Sequence, residues 1–477
     1  MTERRTAGLA IVAALLVGLG LRLEAWVGTI ASDDLTHAYA AIHPWNDPVE
    51  HSMPDGHGYD VNARRIGVNL PLAIGAAIAG PTEQTFGTVT LLESLLGILL
   101  CAAWAGALGG RRAAVLAAWL AAVSPIEVWY ATVFLQDVLF SAGLAGAMAA
   151  IAWGARTDRM RWWFASGLAF GYLQYVKENA AILVAALVVV GVVRSIRARR
   201  IDRGTVGLVA GVAAIQLLAC VYWWVAIGDP LYYVKAWLQR QVALEAVAPM
   251  QPFPNNVLRL GLYIGYHQVF GIGLLVAGYF GVRWLRRGDA PPRVRQDIAV
   301  IAVLQLALLI HILRWGSSTQ RYMMQLSPIL IVLGAVGLVA AWGALAPRIR
   351  RARYAAVVAA TAISLLTGIR QHGRFRADVI RATSAAISTP ELIDLPVYAV
   401  RGPRVSHYIE RTLALLDGYR HDRFHLIDDP ATVQRGLIVY SFLEQHPQPL
   451  VAPPGRRIFA TGLGTSRWVE VYAVGIP

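Results

Sequence analysis

The sequence predicts a mostly α-helical, polytopic membrane protein of about eleven transmembrane helices, with a small C-terminal extracytoplasmic α/β domain. Composition is the first reason. Of 477 residues, 56% are hydrophobic and only 15% charged, with a mean hydropathy of +0.50. A soluble domain carries about a quarter charged residues. The second reason is repetition: apolar runs of spanning length fall near 7–27, 86–108, 113–130, 132–153, 205–227, 262–283, 297–314, 322–343 and 354–369. The third is the placement of arginine, which clusters in alternate loops.

The first run follows Arg4 and Arg5 and has no small-x-small cleavage site after it. It reads as an uncleaved helix with a cytoplasmic N-terminus. Residues 162–193 are too long for one span and short for two. Arg156, Arg159 and Arg161 precede them, and Arg194, Arg197, Arg199, Arg200 and Arg203 follow. Both flanks are then cytoplasmic, so the region must cross an even number of times. It is expected to be a hairpin of two short helices broken at YVKENA, residues 175–180, on the outer side. The remaining inside loops agree: Arg111 and Arg112, the group from Arg283 to Arg295, and the group from Arg348 to Arg353.

This arrangement also accounts for the formal net charge of +14. Topology and anionic-lipid contact explain the arginines better than nucleic acid does, and nucleic acid is not expected as a partner. Lysine occurs only at Lys177 and Lys235. Cys101 and Cys220 lie within apolar runs and read as small core residues.

The membrane domain is expected to span 1–369, with outer loops 28–85 and 228–261, and the soluble domain 370–477. Within the first loop, residues 66–80 are apolar but short for a span and read as interfacial. Beyond 370, LPVYAV, FHLIDD, GLIVYSF, RRIFATG and WVEVYAV read as strands. RVSHYIERTLALLDGY reads as an amphipathic helix.

The candidate chemistry gathers at the outer ends of the spans. Asp33 and Asp34 follow the first span in SDDLTHAY. Glu127 and Asp137 bracket a turn, Lys177 and Glu178 sit at the hairpin break, Arg321 opens a late span, and Arg64 and Arg65 precede the interfacial segment. A lipid-phosphate sugar is the substrate such a set suits. Its phosphate lies at the interface, and phosphate is a competent leaving group. One carboxylate can take the acceptor hydroxyl's proton, and cations stabilise the departing charge. Glycosyl transfer of this kind has an oxocarbenium-like transition state.

Each residue also has a plainer reading. Ser32, Asp33 and Asp34 suit a helix start, and Asp137 suits another. Lys177 and Arg321 suit snorkelling anchors, and Arg65 a headgroup contact. Glu178 reads as a local partner of Lys177, and Glu127 as a solvated edge residue. The spacings of His37, His43, His51 and His57 fit no compact metal motif and suit substrate contact or solvent exposure better; no cofactor is required, with a divalent metal as the minor alternative. Trp223, Trp224 and Trp237 suit an interfacial belt or a sugar stack. TGLGTS, 461–466, lacks the strand–helix context of a nucleotide site.

The order LRLEAW, SDDLTHAYAA, NLPLAIGAAIAGPTE, GRRAAVLAAWLAAVSPIEVWYATVFLQDVLFSAGL, GLAFGYLQYVKENAAIL and RYMMQLSPILIVLGAVGL resembles the GT-C glycosyltransferases. Within them it is similar to the protein O-mannosyltransferase and lipid A aminoarabinose transferase branch, over roughly residues 1–345. The resemblance implies a polyprenyl-phosphate sugar donor, a hexose or pentose transferred with inversion, and a glycan, lipid or protein acceptor. It maps the base to Asp33, puts Asp34 where Glu is more usual, and matches Asp137 and Lys177 to family positions. The usual Lys-Pro-Pro-Leu is replaced here by Val68-Asn69-Leu70-Pro71-Leu72. The alternative is a transporter or lipid flippase, which is expected to place ionisable groups at mid-membrane. A non-catalytic scaffold is a third reading, against which the intact acids argue.

Overall fold

The computed structural model describes residues 3–30, 33–43, 64–238, 253–287, 292–314, 320–372, 378–400, 412–419, 423–442, 454–461 and 468–476. In chain order the first helices are α1 (Glu3–Glu24), α2 (Asp33–Ile42), α3 (Ile66–Ala79), α4 (Glu83–Val123), α5 (Pro125–Trp129), α6 (Gln136–Thr157), α7 (Met160–Gln174), α8 (Ala180–Ala198) and α9 (Arg203–Ile227). Then follow α10 (Phe253–Gly265), α11 (Ile272–Arg287), α12 (Pro292–Arg314), α13 (Ser327–Trp342), α14 (Pro347–His372) and α15 (Asp378–Ile387). The chain divides into two compact units. One comprises Met1–Trp26, Arg65–Val68 and Thr90–Arg374, and the other Val27–Arg64, Asn69–Val89 and Phe375–Pro477.

The first unit is helical. Five of the described helices, α1, α4, α6, α8 and α9, are long and apolar enough to cross a membrane. About eleven spans follow from the nine apolar runs together with the hairpin inferred at 162–193; the difference lies in helices that are shorter or carry charge, such as α12 and α14. The runs expected at 86–108 and 113–130 fall largely within α4, which is two helices meeting at a kink at Gly110, with φ 75° and ψ −170°. Only glycine reaches that backbone region without strain. The hairpin expected at 162–193 is present as α7 and α8, broken at residues 175–179.

Close helix crossings depend on missing side chains. GLAFG, 167–171 on α7, faces GLVAG, 207–211 on α9. A Cβ at Gly167 would strike the Leu208 carbonyl oxygen and lie 2.9 Å from the Gly211 Cα, and one at Gly211 would lie 2.6 Å from the Leu168 nitrogen. In a membrane, where no hydrophobic drive brings helices together, such backbone approach supplies the packing. Gly211→Val is therefore expected to destabilise the purified protein by about 1–3 kcal/mol through overpacking. Gly8→Ala, with open space around the glycine, should leave the melting temperature unchanged. Equal melting of Gly211→Val and the wild type would contradict this crossing.

Several charged groups inside this unit are paired or hydrogen-bonded. Arg22 of α1 is fully buried. Its Nε donates to Ser94 Oγ (2.8 Å), and its terminal nitrogens donate to the carbonyls of Gly18, Ala121 and Ala122. At the other ends of the helices, Arg194 pairs with Asp297 and Arg293 with Asp202, each at 2.8 Å. Asp202 also caps α9 by accepting from the Gly204 N–H.

The second unit contains a five-stranded sheet ordered β2-β1-β3-β5-β4. Its strands are β1 (Val397–Val400), β2 (Phe424–Ile427), β3 (Gly436–Phe442), β4 (Arg456–Thr461) and β5 (Trp468–Val474). All five expected strands are found. β1 runs parallel to β2 and β3, and β5 runs antiparallel to β3 and β4. Parallel pairing requires a crossover between β1 and β2. Residues 412–416 of it are helical, while 404–411 of the expected amphipathic helix lie outside the described residues. Buried Arg423 staples the crossover. It donates to the carbonyls of Ile387, Leu392 and Leu395 and pairs with Asp417. Most of TGLGTS also lies outside the described residues.

Candidate active site

The site residues read from the sequence fall into two sets, one in each compact unit. The acid pair belongs to the unit with the sheet. Asp33 and Asp34 occupy the first turn of α2, where the exposed N–H groups and the helix dipole favour negative charge. Their environments differ. Asp34 is fully buried, and its Oδ2 accepts from the Thr29 hydroxyl (2.7 Å) and the Ile30 N–H (2.8 Å). Asp33 is half-buried. Ser32, expected to help start this helix, lies outside the described residues. One turn further along, buried His37 meets Asn69 Oδ1 through Nδ1 at 2.8 Å. His43 lies against Tyr39, with ring centroids 4.9 Å apart. Among the described residues no three His, Cys, Asp or Glu side chains gather in a metal-binding group; His51 and His57 lie outside those residues.

The second set is built on the break between α7 and α8. The start of α3 docks there because its backbone comes unusually close. The Gly67 N–H donates to the Tyr175 carbonyl (3.1 Å), and a Cβ at Gly67 would lie 2.8 Å from the Tyr175 carbonyl carbon. Pro71 lies inside α3 and has no N–H for the Gly67 carbonyl four residues earlier. The Tyr172 hydroxyl supplies that missing donor (2.5 Å). The dock brings Arg65 to Glu178. Arg65 Nε donates to Oε1 (3.1 Å) and a terminal nitrogen to Oε2 (2.9 Å), the two-pronged geometry that suits guanidinium. Glu178 is thus the partner of Arg65, not of the adjacent Lys177 as expected. Neighbouring residues at a sharp break point apart, and each finds a partner on a different element.

Lys177 turns to Asp137, in the first turn of α6. Its Nζ donates to Oδ1 at 2.6 Å. Arg321, from the 3-10 turn Gln320–Gln325, brings Nε to 3.9 Å from the other carboxylate oxygen. Asp137 is 1% exposed, Lys177 5% and Arg321 8%. Both cations flank the Tyr322 ring, at 4.8 and 5.3 Å from its centroid. Two positive groups converging on one buried carboxylate is not the pattern of snorkelling anchors, which place the charge in water. Beside them Asn179 Nδ2 donates to Gln325 Oε1 (2.8 Å). Among the described residues, Asn179 Oδ1 and Gln325 Nε2 make no hydrogen bond.

Glu127 is not the solvated edge residue expected. It is buried, and its Oε1 accepts from the Ser141 hydroxyl (2.9 Å). Trp223 is buried against Tyr222 and Tyr232, while Trp224 and Trp237 are exposed. Sequence reading missed Thr29, Tyr172, Asn179 and Gln325. A signal existed for Tyr172: a proline inside a helix orphans a carbonyl, and some donor must meet it.

Residues 66–224 match the family described as dolichyl-phosphate-mannose-protein mannosyltransferase. No curated protein matches the chain in sequence. In structure the chain is similar to ArnT from Cupriavidus metallidurans bound to undecaprenyl phosphate. The TM-score is 0.66 at 15% identity, covering 98% of each chain. It is also similar to the Archaeoglobus fulgidus oligosaccharyltransferase tethered with an acceptor peptide, with a TM-score of 0.56 at 12% identity. That match covers 91% of this chain and 65% of the other. The same archaeal enzyme, AglB, in complex with an inhibitory peptide and a dolichol-phosphate matches with a TM-score of 0.55 at 13% identity, covering 90% and 65%. The chain has a GT-C fold and resembles its ArnT and protein mannosyltransferase branch.

Proposed function

We propose that this polytopic membrane protein of GT-C fold moves one sugar, a hexose or pentose, from a polyprenyl-phosphate donor to an acceptor. The transfer takes place at the outer face of the cytoplasmic membrane and inverts the anomeric centre. The observation that carries this reading is the convergence of Lys177 and Arg321 on Asp137 at a helix break. A phosphoester needs cations that are held in place before it arrives, because stabilisation of developing charge is strongest when no reorganisation is required. Asp137 holds both cations ready. When the phosphate enters, its oxygens take over part of that coordination.

In the proposed reaction Asp33 accepts the acceptor hydroxyl's proton as its oxygen attacks the anomeric carbon. The sugar–phosphate bond breaks on the opposite face, and the electron pair leaves with the lipid phosphate. Attack from one side and departure from the other give inversion. Asp34, anchored by Thr29 and Ile30, holds the turn that carries Asp33. Arg65, locked to Glu178, supplies further positive charge near the lipid phosphate. The spare acceptor of Asn179 and the spare donor of Gln325 suit sugar hydroxyls. The glycosyl–phosphate bond supplies the driving force, so no cofactor is needed. The acceptor is a glycan, a lipid or a protein. The arginine-rich loops orient the N-terminus to the cytoplasm and the sheet domain to the outside.

Undecaprenyl phosphate binding tests this assignment directly. Its affinity for the purified chain should fall about tenfold or more in Arg321→Gln, the loss of one charged hydrogen bond. Equal affinity in the variant and the wild type would remove Arg321 from the phosphate site.

A further inference from the structure

Glu83 opens α4 and is buried within the sheet-bearing unit. Its Oε1 accepts from the Thr29 N–H (2.8 Å). Both carboxylate oxygens also accept from Arg381 of α15, one from a terminal nitrogen (2.5 Å) and one from Nε (3.4 Å). The same terminal nitrogen donates to the Val27 carbonyl (2.7 Å). Between these two anchored backbone groups lies Gly28, with φ +69°, where a Cβ would collide with the Glu83 carboxylate. The segment Val27–Ile30 is thus held by an ion pair at one end of its backbone and, at the other, holds Asp34 through the Thr29 hydroxyl and the Ile30 N–H. The C-terminal domain reaches the acid-bearing helix a second time. The ring of Tyr419, in the left-handed region at φ 54°, lies 6.5 Å from that of Tyr39 on α2.

We propose that Arg381 and Glu83 are positioning residues for the acid pair. Through them the C-terminal domain clamps Val27–Ile30 and fixes the first turn of α2. This role rests on the proposal that the acid pair serves sugar transfer. The physical case is one of geometry. A guanidinium presents a planar fork that meets a carboxylate and a backbone carbonyl together, whereas an ammonium is a single point charge. Removing the fork takes the cation from the buried Glu83 carboxylate and the Arg381 donor from the Val27 carbonyl. The loop then gains freedom at the point where Asp34 depends on it, and misplacement of a reacting group by a fraction of an ångström is costly to rate.

The test combines hydrogen exchange and kinetics on the full chain in lipid nanodiscs, comparing the wild type with Arg381→Gln, Arg381→Lys and Gly28→Ala. In Arg381→Gln, amide exchange over Val27–Ile30 and α2 should rise about tenfold or more, while β3 and β5 stay protected. The turnover number should fall on the order of tenfold with the donor KM unchanged. Arg381→Lys should recover part of both. Gly28→Ala, which displaces the Glu83 carboxylate without touching the C-terminal domain, should reproduce both. In an Asp34→Asn background, Arg381→Gln should cost no further turnover. Unchanged exchange over Val27–Ile30, or exchange that rises equally in β3 and β5, would overturn the clamp. So would raised exchange with full turnover. If the wild type transferred no sugar, the transfer reading would fall, and exchange would still decide whether the clamp exists.

Discussion

Asp33→Asn is expected to lower the turnover number by about a hundredfold to ten-thousandfold, the range a positioned general base contributes. The donor KM should stay within a factor of about two, because the substitution is nearly isosteric and the base acts on the acceptor. The fold should survive. Asp33 is half-buried at the first turn of α2, and asparagine suits that helix position almost as well. The corresponding change at Asp34 should behave differently. Its Oδ2 accepts two hydrogen bonds in a fully buried setting, so Asp34→Asn is expected to loosen the turn and lower stability as well as rate. A profile in which Asp34→Asn is inactive and Asp33→Asn is fully active would reverse the two roles. The measurement is steady-state transfer at equal protein, with melting temperatures recorded alongside.

Lys177→Met should have the larger effect on stability. It strips the buried Asp137 carboxylate of the ammonium 2.6 Å away, leaving Arg321 at 3.9 Å as its cation in the same cluster. Breaking a buried pair by removing one partner costs about 3–5 kcal/mol. Removing both partners is much milder, since a neutral methionine and asparagine carry a far smaller desolvation penalty than an unpaired buried charge. The double variant Lys177→Met with Asp137→Asn is therefore expected to regain most of the lost melting temperature. It should not regain donor binding, because the cation that meets the phosphate is still missing. Thermal melts and undecaprenyl phosphate affinity, measured on the two single variants and the double, separate these effects. A double variant that binds the lipid phosphate as tightly as the wild type would show that the Asp137–Lys177 pair is only structural.

Much of this organisation was legible in the residues. The hairpin break at 175–179 followed from arginines on both flanks of a run too long for one span, a constraint of topology rather than of propensity. The five strands were marked by short runs of β-branched and aromatic residues between turn signals. The convergence of Lys177 and Arg321 on Asp137 joins residues 40 and 184 positions apart in the chain. Sequence placed them at one level of the membrane but had no means of choosing partners. The pairing of Glu178 with Arg65 shows why. Adjacency in sequence favoured Lys177, and the dock of α3 on the break, set by Gly67 and Tyr172, decided otherwise. The kink at Gly110 falls between the apolar runs read at 86–108 and 113–130, so the sequence separated these two helices at the right place. Glu83 and Arg381 lie 298 residues apart, and no local pattern in either stretch points to the other.

The most direct measurement is sugar transfer by the purified chain in nanodiscs, supplied with a panel of radiolabelled polyprenyl-phosphate hexoses and pentoses and with membrane extract as acceptor. The account predicts label transferred from one donor class, with the anomeric configuration inverted in the product, and its loss in Asp33→Asn. Transfer with retained configuration, or no transfer from any donor by a chain that still binds undecaprenyl phosphate, would contradict it.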